Sequence, residues 1–135
     1  MPLPIADAIQ WIENLGWNIT QESGAPLFPG PYIQPMPDRI VTLSPAGGPG
    51  YVLEGDADSS LIQARTRGGQ NDQDDAEQLA LALDALIRDA SFPVVVNGTT
   101  ISHCHRFGSP PTPLTGTPDD GSRWEYVASY LFVAS

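Results

Sequence analysis

The residue types that could do chemistry meet in one place, the run His103-Cys104-His105. Side chains on a strand alternate between faces, so His-x-His puts two imidazoles on one side and the intervening thiol on the other. Two imidazoles are half of a zinc site, and a third ligand would have to come from a distant Asp or Glu. The chain holds no other histidine and no His-Glu-x-x-His. Polar strand residues are therefore the preferred reading, and a small metal-dependent enzyme using His103 and His105 the weaker one. Cys104 would point away from both imidazoles, and a thiol without an adjacent base is not an activated nucleophile. Asp74 and Asp75 stand at the start of a helical pattern, where the positive end of the macrodipole accounts for them. With no nucleophile, base and orienting group in view, neither enzyme activity nor a cofactor is expected.

Composition narrows the classes further. The length of 135 residues suits one domain with its own core. The net charge is -10, and all six cations are arginines: Arg39, Arg65, Arg67, Arg88, Arg106 and Arg123. Tight binding to a nucleic-acid backbone needs basic residues that release counterions, so repulsion from DNA is expected instead. Cys104 is the only cysteine and can make no internal disulfide. The sequence opens with no basic segment followed by an apolar run that would export it, which predicts synthesis in a reducing cytoplasm. No stretch approaches the roughly 20 apolar residues that span a bilayer.

The elements that must position these residues are legible from periodicity. The best patterned is RTRGGQNDQDDAEQLALALDALIRD, residues 65–89, a strand end with paired arginines leading into a helix. Ala76, Leu79, Ala80, Leu83, Leu86 and Ile87 form its apolar stripe, with Asn71 or Asp72 as cap and Arg88 near its C-terminus. Asp84 and Arg88 read as a surface pair worth about 0.3 kcal/mol, and Leu81 as an exposed misfit on their side. Ile5, Ala8, Ile9, Ile12 and Leu15 predict a first helix, closed by Gly16 and flanked by Trp11 and Trp17.

Five strands are expected: residues 39–44, 60–67, 93–96, 99–107 and 123–133, with Asn97-Gly98 as a hairpin turn between the third and fourth. In the second, Gln63, Arg65 and Arg67 share a face; in the fourth, Ile101, His103, His105 and Phe107 do. The last strand becomes apolar on both faces, as a central or partner-covered strand does. Residues 22–38 carry five prolines and read as an extended connector, residues 45–50 as a turn or flexible loop, and residues 108–121 as a long loop. The fold class is therefore α+β, a two-layer arrangement with a mainly antiparallel sheet of about five strands and helices on one face.

Several short motifs in this order carry a family likeness: PDRIV at residues 37–41, LSPAGGPG at 43–50 and RTRGGQNDQDDAEQLALALDALI at 65–87, with SPPTPL at 109–114 and the alternating final strand behind them. Over roughly its last three quarters the chain resembles the tail terminator, or minor capsid, proteins of long-tailed bacteriophages. The resemblance implies a virion protein of the neck, assembled in the host cytoplasm. It implies a ring, expected to be a hexamer, that closes the head-proximal end of the tail tube and offers a surface to a head-completion or connector protein, with DNA passing through a lumen. Another neck component is the alternative. A cyclic ring needs two different complementary patches per protomer. Arg65 and Arg67 against Asp72, Asp74, Asp75 or Glu77 of the next subunit, with Leu81 nearby, form the expected contact. A negative lumen would let DNA slide without sticking.

Overall fold

The computed structural model describes residues 3–17, 25–30, 33, 38–45, 58–114 and 122–134. Its elements in chain order are α1 (Ile5–Asn14), β1 (Leu27–Pro29), β2 (Ile40–Pro45), β3 (Asp58–Arg67), α2 (Gln73–Arg88), β4 (Val94–Val96), β5 (Thr99–Pro113) and β6 (Glu125–Ala134). The strands form one sheet in the order β1-β2-β3-β6-β5-β4. Every neighbouring pair is antiparallel except β1 with β2. Both helices contribute to one core with the sheet, an α+β architecture as the patterning predicts.

Strict alternation makes β6 the inner strand. Tyr126, Ala128, Tyr130, Phe132 and Ala134 are buried, and each intervening residue is half-buried. Trp11 of α1 lies against the edge of Phe132 at 5.5 Å and against Phe92 at 5.6 Å, which fixes the helix on this face. α1 ends as its glycine predicts. Gly16 has φ 102°, its amide bonds to Glu13 O and the Trp17 amide to Ile12 O, the paired bonds of a Schellman motif. Asp7, on the same helix, accepts from Asn97 Nδ2 at 3.2 Å and Thr99 Oγ1 at 2.9 Å, which ties α1 to the β4–β5 hairpin. In that hairpin Asn97 and Gly98 have φ 50° and 82°, the two positive values that a tight turn matching the strand twist requires.

Three sequence expectations are corrected. The connector of residues 22–38 contains β1, so six strands are found rather than five, and its parallel register with β2 makes the sheet mixed. Pro29 is tolerated there because β1 is an edge, where a missing amide breaks no ladder. Residues 22–24, 31–32 and 34–37 of that connector, residues 46–50 of the glycine-rich turn and residues 115–121 of the long loop lie outside the described residues. Residues 108–113 are not loop but continue β5. Gly108, Pro110 and Pro111 fall where the register slips between Phe107 and Thr112, with Gly108 at φ 89°, and a bulge accommodates residues that regular pairing would reject.

The third correction concerns the histidine strand. Ile101 pairs with Ala134 and His103 with the next residue, Val133, so Ser102 is an inserted residue. One extra residue reverses every later side chain. Ile101 and Cys104 are consequently both buried, whereas His103, His105 and Phe107 are exposed, and the predicted common face of Ile101 with the histidines does not exist.

Candidate functional site

Two clusters of charged groups come out of this topology. The first surrounds the junction from β3 to α2. Asp72 caps α2 by accepting from the Asp75 amide at 3.0 Å. Asp75 Oδ2 in turn accepts from the Gly69 amide at 2.9 Å and from Arg39 Nε at 3.0 Å. Gly68 has no room for a side chain, since a Cβ there would stand 2.5 Å from the Ala76 nitrogen and 2.8 Å from its Cα. Strand, turn and helix therefore lock into one unit.

The two arginines expected to face a neighbouring subunit have partners inside their own protomer. Arg65 donates from Nε and Nη2 to Glu125 Oε1 at 3.1 and 2.6 Å. Arg67 is 2% exposed and donates from Nε to the Asp38 carbonyl at 2.9 Å. Alternation correctly puts both on one face, but β2 and β6 flank β3 and bring Asp38 and Glu125 to that face. Arg123 also reaches Asp38, at 3.1 Å. Of the acidic side of the expected contact, Asp75 is engaged as above, and Glu77 accepts from the Tyr126 hydroxyl at 3.1 Å. Asp72, Asp74 and Glu77 are exposed, and Leu81 is exposed as predicted.

The second cluster lies at the other end of α2, where the helix passes β5. A cleft of about 310 Å³ opens here, its floor formed by Ile87, Ala90, Phe92 and Cys104 and its rim by Arg88, His103, His105 and Arg106. The surface pair expected between Asp84 and Arg88 is not formed. Asp84 stands four residues after Ala80, which returns it to within about 40° of the buried stripe. It is buried, accepting from Arg106 Nη1 at 2.7 Å and from the Tyr130 hydroxyl at 2.9 Å, while Arg88 pairs with Asp89 at the surface.

Burial, followed by the Asp84 charge, pushes the Tyr130 phenol above its ordinary range. Burial alone raises the Cys104 thiol. Cys104 thus keeps its proton at neutral pH, and Asp84 is occupied by two donors, so neither group is set up to attack or to take a proton from a substrate. The imidazoles of His103 and His105 stand 5.0 Å apart by ring centroid, and His103 lies 5.5 Å from Phe92. Among the described residues no three His, Cys, Asp or Glu side chains converge as metal ligands. The cleft thus has an apolar floor, and its two arginines are each paired with a carboxylate, Arg106 with Asp84 and Arg88 with Asp89.

Sequence reasoning found the two histidines but not Asp84, Arg106, Phe92 or Tyr130 as their neighbours. A carboxylate at stripe spacing was the available signal. No described helix is long and apolar enough to cross a membrane. In comparisons with known proteins, no family model matches the chain. No curated protein matches it either.

Proposed function

We propose that this chain is a structural virion protein, the tail terminator of a long-tailed phage. Six copies would close into a ring on the head-proximal end of the tail tube, stop its growth and present the head with a joining surface. The observation that carries the reading is the β3–α2 unit. The stretch with the most specific likeness to tail terminators, residues 65–87, folds as one strand, one tight turn and one helix, with Gly68 against Ala76 holding them together. A two-layer α+β protomer with an inner strand that is half-buried on its outer face also suits a subunit that packs against copies of itself. The charge of -10 is of use in such a ring, because an acidic lumen repels the passing duplex and keeps it from sticking.

The groups at the histidine cleft assign no reaction, and the role is read as non-enzymatic. Mass by light scattering, with electron microscopy of the chain mixed with purified tail tubes, tests the proposal. Rings that cap one end of each tube support it. A species that remains single at high concentration and ignores tubes overturns it, and rings that bind a connector or portal while ignoring tubes assign the chain to another layer of the neck.

A further inference from the structure

His103 and His105 are exposed on one side of β5, with the buried Cys104 between them on the other. Their attachment points are two residues apart, which is about 6.6 Å along a strand. The rings lean together all the same, with centroids 5.0 Å apart and planes inclined at 41°.

That separation is the one a shared metal ion demands. With a metal–nitrogen distance of about 2.0–2.1 Å, and each ring centre about 1.1 Å behind its ligating nitrogen, two imidazoles on one ion have centroids about 4.5 Å apart at a right angle and about 5.1 Å apart at a tetrahedral angle. The observed 5.0 Å falls between the two. Both rings are exposed and turn about a broad terminal torsion, so one nitrogen of each can be aimed at the ion.

The surroundings admit a cation. The neighbouring positive charges, Arg106 and Arg88, are each paired with a carboxylate, Asp84 and Asp89. The chain carries a net charge of -10 with both histidines neutral, and neutral imidazole is the form that ligates. Imidazole selects Ni2+, Cu2+ and Zn2+ over Mg2+ and Ca2+, which take oxygen ligands. Among the described residues no third His, Cys, Asp or Glu joins the pair. Water therefore fills the remaining positions, and the ion is exchangeable where a closed structural centre would hold it fast.

We propose that His103 and His105 chelate one divalent transition-metal ion at the rim of the cleft, as a two-imidazole site completed by water. The site is independent of the ring reading and assigns no reaction.

Titration calorimetry of the full, untagged chain with Ni2+ tests it, in a buffer holding excess Mg2+ to occupy the carboxylates. One ion per chain is expected. The second imidazole binds within a complex already formed, so His103→Gln or His105→Gln alone should weaken binding on the order of tenfold or more. The double variant should bind no Ni2+ in the same range, because the chain has no other histidine to take over. Both positions are exposed, and unchanged circular dichroism establishes that each variant folds. A chain that takes up no Ni2+ at millimolar concentration, or a double variant that binds like the unaltered chain, overturns the site. Two ions per chain, or single variants that keep the full affinity, overturn it as well, since the imidazoles would then act separately.

Discussion

Tyr130 on β6 donates its hydroxyl to Asp84 on α2 at 2.9 Å, inside the core that the helix and sheet share. The carboxylate is tolerated there because Arg106 supplies a second, charged donor at 2.7 Å. Removing the carboxylate leaves a buried hydroxyl and a half-exposed guanidinium without their partner. Asp84→Ala is therefore expected to cost about 3 kcal/mol of folding stability. Tyr130→Phe removes one neutral donor from a charged acceptor and should cost about 1.5 kcal/mol. Urea unfolding of the two single variants and the double variant checks both values, and coupling between them is expected, since the residues are in contact.

At Gly68 the prediction concerns space rather than charge. A methyl group would meet the Ala76 backbone at 2.5 Å, and backbone inside a capped helix cannot step aside as a flexible side chain can. Gly68→Ala should destabilise by roughly 2 kcal/mol through overpacking, although alanine ordinarily lowers the entropic cost of ordering the chain. Thermal unfolding would show a lowered midpoint. A midpoint equal to or above that of the unaltered chain would mean that the Ala76 backbone can withdraw from residue 68 at little cost.

What was legible in the sequence is what depends on near neighbours. The stripe from Ala76 to Ile87, the Asp72 cap, the Gly16 stop and the Asn97-Gly98 turn all answer to demands made within a few residues, and each is found. What was not legible depends on partners far along the chain. The inserted Ser102 is defined only by Ala134 and Val133 across the ladder, so alternation alone gave His103 and His105 the wrong company. The strand β1 is three residues long and exists because β2 lies beside it. Asp84 looked like a surface residue until Tyr130 and Arg106, 46 and 22 positions away, supplied its donors. The same blindness gave Arg65 and Arg67 an external role, since Glu125 and Asp38 reach them only through sheet pairing and the approach to β2.

Those internal partners yield a prediction about Arg65 and Arg67. Arg67→Ala empties a buried site and leaves the Asp38 carbonyl short of a donor, and a loss of about 2 kcal/mol is expected. Arg65→Ala breaks a pair whose side chains are 23% and 14% exposed, and should cost about 1 kcal/mol. Both losses should appear in denaturant midpoints. Because Arg65 is bonded within the protomer, its variant should still associate like the unaltered chain in sedimentation, well below the denaturant concentration that unfolds it.

The alkaline limb of stability offers a test with little interference. The chain contains no lysine, so between pH 8 and 11 the side chains that titrate are Cys104 and four tyrosines. Burial raises Cys104 from an ordinary value of 9.0 and Tyr130 from 10.0. The native state therefore holds both protons at a pH where the unfolded chain has begun to release them. With fewer protons bound in the unfolded state, stability falls as pH rises. It should be fully present below about pH 8, decline first as the unfolded thiol ionises near 9, and decline more steeply as the unfolded phenol follows near 10, each group contributing up to about 1.4 kcal/mol per pH unit. Urea midpoints at pH 7.5, 9 and 10.5, read against Cys104→Ala and Tyr130→Phe, separate these two contributions from that of Tyr126, whose phenol burial also raises. The first variant should flatten the onset and the second the later fall, and a native chain whose midpoint is constant to pH 10.5 would mean that both groups are reached by water.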